Sequence, residues 1–286
     1  VTWVDAGAKQ VTARNATFQQ WLALLTNRAK RHRAGEFLVQ GVRPVTLAVR
    51  LGWPLRALLY DRDRTLSAWA ARVLDASRAP RFAVSGGLLA ELGDKDSGPP
   101  EVLAIAAMPA EEFARLPVGA GFLGVVLDRP ASPGNIGAVV RSADAFGASG
   151  VIITGHAADP YDPKSVRAST GSLFAVPVVR AAAPAEALGF VRNSRAAGVP
   201  ISVAGLDERG TADLADCDLT GPTLLVAGNE AAGLSAAWRQ ACDQRIRIPI
   251  TGAASSLNAA SAVTVALYES ARQRALRSGP ARGDTP

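Results

Sequence analysis

The hydrophobic positions of this chain fall into two successive trains of short apolar runs, each interleaved with amphipathic stretches. After a loosely held leader over residues 1–14, Phe18, Trp21, Leu22 and Leu25 recur at i, i+3, i+4 and i+7. That spacing predicts a helix with one buried face, running on into a basic end. Phe37-Leu38-Val39 reads as a short strand and residues 42–51 as a helix. Strands are predicted over 55–60, 81–84 and 102–107, and helices over 66–77 and 88–92. Strands alternating with helices argue for a compact α/β/α domain over residues 1–108. Residues 93–100 (GDKDSGPP) read as a surface loop, and the polar, proline-bearing residues 109–118 as a linker.

From Gly121 the alternation resumes in a second domain over residues 119–286. A strand over 122–127 precedes a helix that carries Val139, Val140 and Phe146 on one face. A strand over 150–154, a helix over 163–171, a strand over 175–179 and a helix over 186–197 come next. Strands over 200–204 and 223–227, and one at Ile246, lead to a last helix over 258–277. Short apolar runs separated by helices predict a mainly parallel sheet covered on both faces. The last helix opens on Asn258, a capping residue type, and ends in a basic turn that suits its dipole.

Composition narrows the classes. A chain of 286 residues, 48% hydrophobic and 20% charged, is long enough for two separate cores. No apolar run approaches the roughly 18 residues of a membrane span, and the opening VTWVDAGAKQVTARN has no apolar signal region. A cytoplasmic protein without a membrane partner is expected. Two cysteines (Cys217, Cys242) and two histidines (His32, His156) make a metal site unexpected. No G-x-S-x-G elbow is present for a serine triad. The excess positive charge sits early: residues 1–118 carry 16 Lys and Arg against 11 Asp and Glu, residues 119–286 15 against 14. Arg28, Lys30, Arg31 and Arg33 form its densest point, suited to phosphate neutralisation with counterion release. A solvated helix end is the competing reading of such a run. The bias to 27 Arg over 4 Lys reflects a GC-rich genome more than a need for guanidinium chemistry.

In a parallel sheet, ligands bind beyond the carboxyl ends of the strands. Three loops qualify: residues 128–137 (DRPASPGNIG), 228–235 (GNEAAGLS) and 249–258 (PITGAASSLN). Their Gly, Ser and Asn content lets backbone approach a ligand closely, although each alone reads equally well as an ordinary turn. None is G-x-G-x-x-G and no Walker lysine is present, so dinucleotide and P-loop sites are poorly supported.

Taken in order, the three loops carry a resemblance. Asn135-Ile136-Gly137-x-x-x-Arg141, then Gly228-Asn229-Glu230-x-x-Gly233-Leu234-Ser235, then Ile248-Pro249 leading to Ser256-Leu257-Asn258, resemble the signature motifs of the SpoU/TrmH-type (SPOUT) RNA ribose 2′-O-methyltransferases. Asp162-Pro163-Lys164 through Arg167-x-Ser169-x-Gly171 is similar to that family's connecting segment, and the match spans residues 119–272. Gly35-Glu36-Phe37-Leu38-Val39-Gln40-Gly41 resembles the opening strand of the L30e-like substrate-binding domain that many members carry. Where the family commonly continues Ser-Leu-Asn with Val-Ser-Val, this chain has Ala259-Ala260-Ser261, on helix-packing positions.

The resemblance implies an α/β fold in two parts, an L30e-like domain and a trefoil α/β knot with a mainly parallel sheet. It also implies S-adenosylmethionine as cofactor, a homodimer, and ribosomal RNA as favoured substrate, because the transfer-RNA enzymes of this type typically lack the front domain. The implied catalytic set is Arg141, Asn135, Glu230, Ser256 and Asn258, with Arg141 expected at the start of its helix. Family proposals make Arg141 a general base assisted by a substrate phosphate. A guanidinium almost never loses its proton, so a protonated Arg141 that stabilises the developing alkoxide is the less costly role. Asn135 is expected to fix Arg141 or the ribose, and Glu230 to orient the arginine or a nearby backbone amide. A plain helix-terminal carboxylate is the alternative for Glu230. Ser256 and Asn258 would cap the last helix, contact the nucleotide, or both. Cofactor contacts are expected from Ala227, Gly228, Asn229, Glu230, Ile248, Leu257 and Asn258, with Ile248 and Leu257 flanking adenine. Lys164 and Arg167 would join Arg28, Lys30, Arg31 and Arg33 on RNA phosphate, a solvated face being their other reading.

The competing functions are a catalytically idle RNA-binding protein, a transfer-RNA 2′-O-methyltransferase, a base methyltransferase and a nucleotide-cofactor oxidoreductase. The last lacks its Gly-rich first turn. The resistance methyltransferases of antibiotic-producing actinomycetes, of thiostrepton or avilamycin type, fit the Arg-and-Ala composition.

Overall fold

The computed structural model describes residues 7–93 and 98–278. Residues 1–6 of the expected leader, 94–97 of the expected loop and 279–286 lie outside the described residues. In chain order the first elements are β1 (Lys9–Val11), α1 (Ala16–Thr26), α2 (Arg28–Ala34), β2 (Glu36–Gln40), α3 (Val42–Arg50), β3 (Leu55–Asp61), α4 (Ala68–Ala76), β4 (Arg81–Val84), α5 (Gly86–Leu92) and β5 (Val102–Ala107). There follow β6 (Leu123–Asp128), α6 (Pro133–Ala145), β7 (Gly150–Thr154), α7 (Pro163–Ala168), β8 (Val178–Ala181), α8 (Pro184–Ala196) and β9 (Ser202–Leu206). β10 (Ala212–Asp213), β11 (Thr223–Ala227), α9 (Ala236–Ala241), β12 (Gln244–Arg247) and α10 (Ala259–Ser278) complete the described chain. Packing divides the described residues into two units, one of those up to 109 with 159–175, the other of 110–158 with those from 176 on.

The first unit is a five-stranded mixed sheet in the order β1-β4-β3-β5-β2, with β5 antiparallel to both neighbours. Phe18, Trp21 and Leu24 of α1 join Leu59, Leu89, Leu103 and Ile105 in one buried core. β1 occupies residues expected to be loose: it pairs in parallel with β4 and buries Val11. Three residues are too few for an alternation to show in the sequence. The helix expected to run through the basic cluster is two helices. Asn27 donates its backbone N–H to Ala23 to close α1, and its side chain accepts from the Lys30 amide at 3.0 Å to open α2. One residue caps both ends because Asn suits the extended backbone that breaks a helix.

The unit's other face is covered by α3 together with residues 159–175, which chain order would assign to the second domain and which pack on β2 and α3. Phe37 of β2 packs on Tyr161 with ring centroids 4.8 Å apart, and Trp53 meets Phe174 edge-on at 5.1 Å. Gly171, at φ 96°, lies so close to α3 that a Cβ would meet Leu47 at 2.7 Å. The helix expected over 163–171 therefore stops at Ala168, and the strand expected over 175–179 begins only at Val178.

Seven strands, every neighbouring pair parallel, form the second unit's sheet in the order β10-β12-β9-β11-β6-β7-β8. Val126, Ile152, Val203, Leu224, Val226 and Trp238 fill one core cluster of this unit. Neither β10 nor α9 was legible, since two and six residues carry too little periodicity. β12, β9, β11 and β6 are consecutive neighbours, so the loops leaving their carboxyl ends emerge side by side. Helices α6 and α10 pack in parallel register: the Ser142 and Thr264 hydroxyls are 2.7 Å apart, and Phe146 meets Tyr268 at 5.9 Å. Among the described residues no helix is long and apolar enough to cross a membrane, and no cluster of three or more His, Cys, Asp or Glu could hold a metal.

Candidate active site

The three motif loops meet through their side chains. Glu230 accepts hydrogen bonds from the backbone amides of Ala131 at 3.0 Å and Ser132 at 3.3 Å, and from Asn135 Nδ2 at 2.9 Å. Asn135 Oδ1 in turn accepts from Asn258 Nδ2 at 3.2 Å. Asn258 Oδ1 takes the amides of Ala260 at 2.9 Å and Ser261 at 3.3 Å, capping α10. The network fixes both amide orientations, since each carboxamide donates at one end and accepts at the other. Glu230 thus orients backbone amides, and Asn135 engages Glu230 and Asn258.

Beside this chain of contacts lies a cavity of about 610 Å³ at the carboxyl ends of β9, β11 and β12. Its walls include Ala227, Gly228, Asn229, Glu230, Ile248, Leu257 and Asn258, together with Ser256. All the cofactor positions expected from sequence are therefore brought to one cavity. A Cβ on Gly228 would collide with the backbone of Gly233 and Leu234, so the 228–235 turn can close only on glycine. Asn229 stitches the turn: its Oδ1 accepts from the amides of Ala231 and Ala232, both at 3.0 Å.

Arg141 is not brought to this set. Ser132 caps α6 and Pro133 opens it, so Arg141 lies in the helix's third turn and not at its start. Six residues at 100° each place it about 120° around and about 9 Å along the axis from Asn135. Asn135 does not hold it, and Arg141 is exposed without lining the cavity. Among the described residues no hydrogen bond or ion pair engages its guanidinium.

Residues 15–104 match the SpoU L30e-like domain, and residues 123–268 match the SpoU rRNA Methylase family. The chain belongs to the SpoU rRNA methylase family. It is 59% identical over 267 residues, 93% of each chain, to the 23S rRNA (uridine(2479)-2′-O)-methyltransferase of Streptomyces viridochromogenes. The crystal structure of the SpoU methyltransferase AviRb from that organism, in complex with AdoMet, superposes with a TM-score of 0.88 at 59% identity, covering 91% of this chain and 98% of that one. An AdoMet-bound rRNA methyltransferase from Sinorhizobium meliloti gives 0.81 at 30% identity, covering 93% and 98%.

In this SpoU methylase, burial alone would push the Glu230 carboxyl up. The bonds from Ala131, Asn135 and Ser132 together outweigh it and hold the group below the ordinary glutamate range. Glu230 is therefore an anionic acceptor, ill suited to donate or take a proton near neutrality. The sequence reading missed the cavity's other wall, Leu206 at the end of β9 and Asp207 to Arg209 after it, with Arg239 and Arg245. Their signal was topological: β9 lies between β11 and β12, so the loop after it must border the same cavity.

The expected phosphate contacts separate. Lys30, Arg33, Lys164 and Arg167 are exposed and Arg28 is half-buried. Arg31, by contrast, is 2% exposed. Its Nη2 lies 2.8 Å from Asp159 and 3.3 Å from Asp162, and its Nη1 donates to the Leu24 carbonyl at 2.8 Å. A guanidinium so enclosed has no face left for a phosphate, which corrects its assignment to RNA. Its neighbours point outward because a seven-residue helix can bury only one side.

Proposed function

We propose that this chain transfers the methyl group of S-adenosylmethionine to a ribose 2′-hydroxyl of 23S ribosomal RNA in the cytoplasm. The observation that carries the reading is the union of three motif loops, through Glu230, Asn135 and Asn258, at a cavity of about 610 Å³. The volume lies within the range of small-molecule sites, about 300–1,000 Å³. Its donor set also fits the cofactor. Leu206, Ile246, Ile248 and Leu257 offer an apolar berth for adenine, and the lining carries both signs of charge, Asp207, Glu208 and Glu230 suiting the sulfonium and ammonium and Arg209, Arg239 and Arg245 suiting the carboxylate. S-adenosylmethionine, when bound, supplies a methyl group on a cationic sulfur. The chain's own part is to bind and to orient. Glu230 and Asn135 hold the turn before α6 against the 228–235 turn, and Asn258 ties both to the start of α10. Arg141, kept protonated, would stabilise the oxyanion that develops as the 2′-hydroxyl loses its proton.

We further infer a homodimer across the outer side of the α6–α10 pair. Val265, Tyr268 and Leu276 are 39%, 55% and 71% exposed and recur at i, i+3 and i+11 on one side of α10, an apolar stripe interrupted by the Glu269–Arg272 ion pair. With the two helices parallel, helical geometry turns Arg141 and Val265 to the same side of the pair. A second copy covering that stripe would enclose Arg141 in a drier environment, where a guanidinium stabilises an oxyanion best. The exposed cations Lys30, Arg33, Lys164 and Arg167 are the proposed phosphate contacts. A self-resistance role is the biological setting we favour, on the resemblance to the resistance methyltransferases.

The deciding experiment is transfer of radiolabelled methyl from S-adenosylmethionine to separated 23S rRNA, 16S rRNA and tRNA. Label confined to 23S rRNA, with one linkage resistant to alkali, is the expected result. Label in tRNA would move the substrate, alkali-sensitive label would indicate base methylation, and cofactor binding without label in any fraction would favour an idle RNA-binding protein.

A further inference from the structure

We propose that Arg129 is a positioning residue for methyl transfer, holding the 228–235 turn in its working place at the expense of its own backbone. The proposal rests on the methyltransferase reading of the site above. Arg129 has φ 56°, and Thr170 is the one other non-glycine residue at positive φ among the described residues. Glycine would occupy that left-handed region without penalty, so an arginine there requires a reason in its side chain.

The side chain supplies one. Arg129 Nε and Nη2 donate to Asp128 Oδ2 at 3.3 and 3.2 Å, and Nη2 also donates to the Gly233 carbonyl at 3.1 Å. Asp128 is fully buried at the end of β6, and the same Oδ2 accepts the Ser235 amide at 2.9 Å. The backbone of Arg129 completes the joint: its N–H donates to the Thr154 carbonyl at 2.9 Å, and its carbonyl accepts from Asn229 Nδ2 at 2.8 Å. One residue thus ties the ends of β6 and β7 to both ends of the turn that follows β11. Arg129 does not line the cavity, whereas every residue from Gly228 to Leu234 does. It acts through the turn, and through Glu230 on the amides of Ala131 and Ser132. Extended backbone at this residue would swing the guanidinium away from Gly233, which is why the positive φ accompanies the bridge.

The test compares Arg129→Gly, Arg129→Ala and Arg129→Lys in the full chain, each at a temperature where circular dichroism matches the unaltered protein. The first readout is amide hydrogen exchange, with no ligand added. Exchange over residues 229–235 should accelerate in the Gly and Ala variants while the strands of the same sheet stay protected. The second is S-adenosylmethionine affinity by calorimetry, expected to weaken about tenfold, as for the loss of one hydrogen bond to a charged group. Arg129→Gly should melt higher than Arg129→Ala because it relieves the strained φ, yet bind the cofactor no better. Millimolar guanidinium ion should restore affinity to Arg129→Gly. A purely structural residue would lower the melting temperature and leave exchange in the turn and affinity unchanged, and that result would overturn the proposal. If the Gly and Ala variants do not fold, the Lys variant, which keeps the charge but cannot span both acceptors, is read in the same two ways. Should the unaltered protein bind no S-adenosylmethionine, the functional reading fails separately, and exchange in the turn still decides the role of Arg129.

Discussion

Replacing Arg31 by methionine removes a buried charge while keeping most of the side chain's length. The guanidinium is enclosed with Asp159, whose side chain is 3% exposed, and it also serves Asp162 and the Leu24 carbonyl. Without it, Asp159 retains the Tyr161 amide at 3.0 Å and a more distant His32, but loses its cation in a site that water scarcely reaches. Breaking a buried pair from one side typically costs about 3–5 kcal/mol. At about 2–4 °C per kcal/mol for a chain of this order, the midpoint should fall by about 6–20 °C. Lys30→Ala and Arg33→Ala, on exposed neighbours, should each stay within about 0.5 kcal/mol. Scanning calorimetry gives the midpoints, and hydrogen exchange over residues 159–175 locates the damage. A double variant with Asp159→Asn should recover part of the loss, because the second change removes the stranded charge. A loss below about 1 kcal/mol, with 159–175 still protected, would refute the reasoning and return Arg31 to the set of phosphate contacts.

Neutralising Lys30, Arg33, Lys164 and Arg167 should weaken RNA binding and lower the slope of log affinity against log salt by about 0.7–0.9 for each phosphate no longer neutralised; an unchanged slope would mean a merely solvated face. Tyr268→Glu places a charge in the exposed apolar stripe of α10 and should convert the proposed dimer to monomer in sedimentation, with methyl transfer falling alongside. The folded-state pKa of Glu230 is lowered, so its contribution is fully present above the ordinary glutamate value of about 4.3 and is lost as pH falls through the folded value. Cofactor affinity should accordingly hold from pH 8 down to about 4.3 and decline only below it, and Glu230→Gln should weaken it already at pH 7. Burial, aided by Asp243, pushes the Cys242 thiol up to about 11, so iodoacetamide at pH 8 should label it far more slowly in the folded protein than in urea.

The legible parts of the fold were those whose period outlasts a few residues. Strands at 81–84, 102–107, 150–154 and 223–227 appear where the apolar runs lie, because a strand covered on both sides is apolar on both faces, whether its neighbours are parallel or, as at 102–107, antiparallel. The illegible parts depend on partners distant in sequence. β1 forms because β4 offers an edge, and Asn27 ends one helix and starts another through two separate bonds. Residues 159–175 carry Tyr161 and Phe174, apolar residues with no helical or strand period, and their partner Phe37 lies more than a hundred positions earlier. Arg31 looked like its neighbours because sequence shows a charge and not its surroundings; the carboxylates that claim it are 128 and 131 positions away.

The site repeats that division with a functional consequence. The loops that gather Gly228, Glu230, Ile248, Leu257 and Asn258 were readable because strand ends in a parallel sheet must gather them. Arg141 was placed by its motif, and helical geometry then separates it from the residues that motif names alongside it. Asn135 is held between Glu230 and Asn258, about 120° around α6 from Arg141. A guanidinium with no partner among the described residues, on the same side of two helices as an uncovered apolar stripe, would be half of the arrangement that the proposed dimer completes. A surface arginine gains little by facing water, whereas one buried against a second copy, next to a reacting hydroxyl, gains the low dielectric in which its charge acts most strongly. The sequence motif therefore names residues that one chain folds only in part into a single place, and association would do the remainder. Retention of methyl transfer by a strictly monomeric Tyr268→Glu variant would break that link between the exposed stripe and the chemistry.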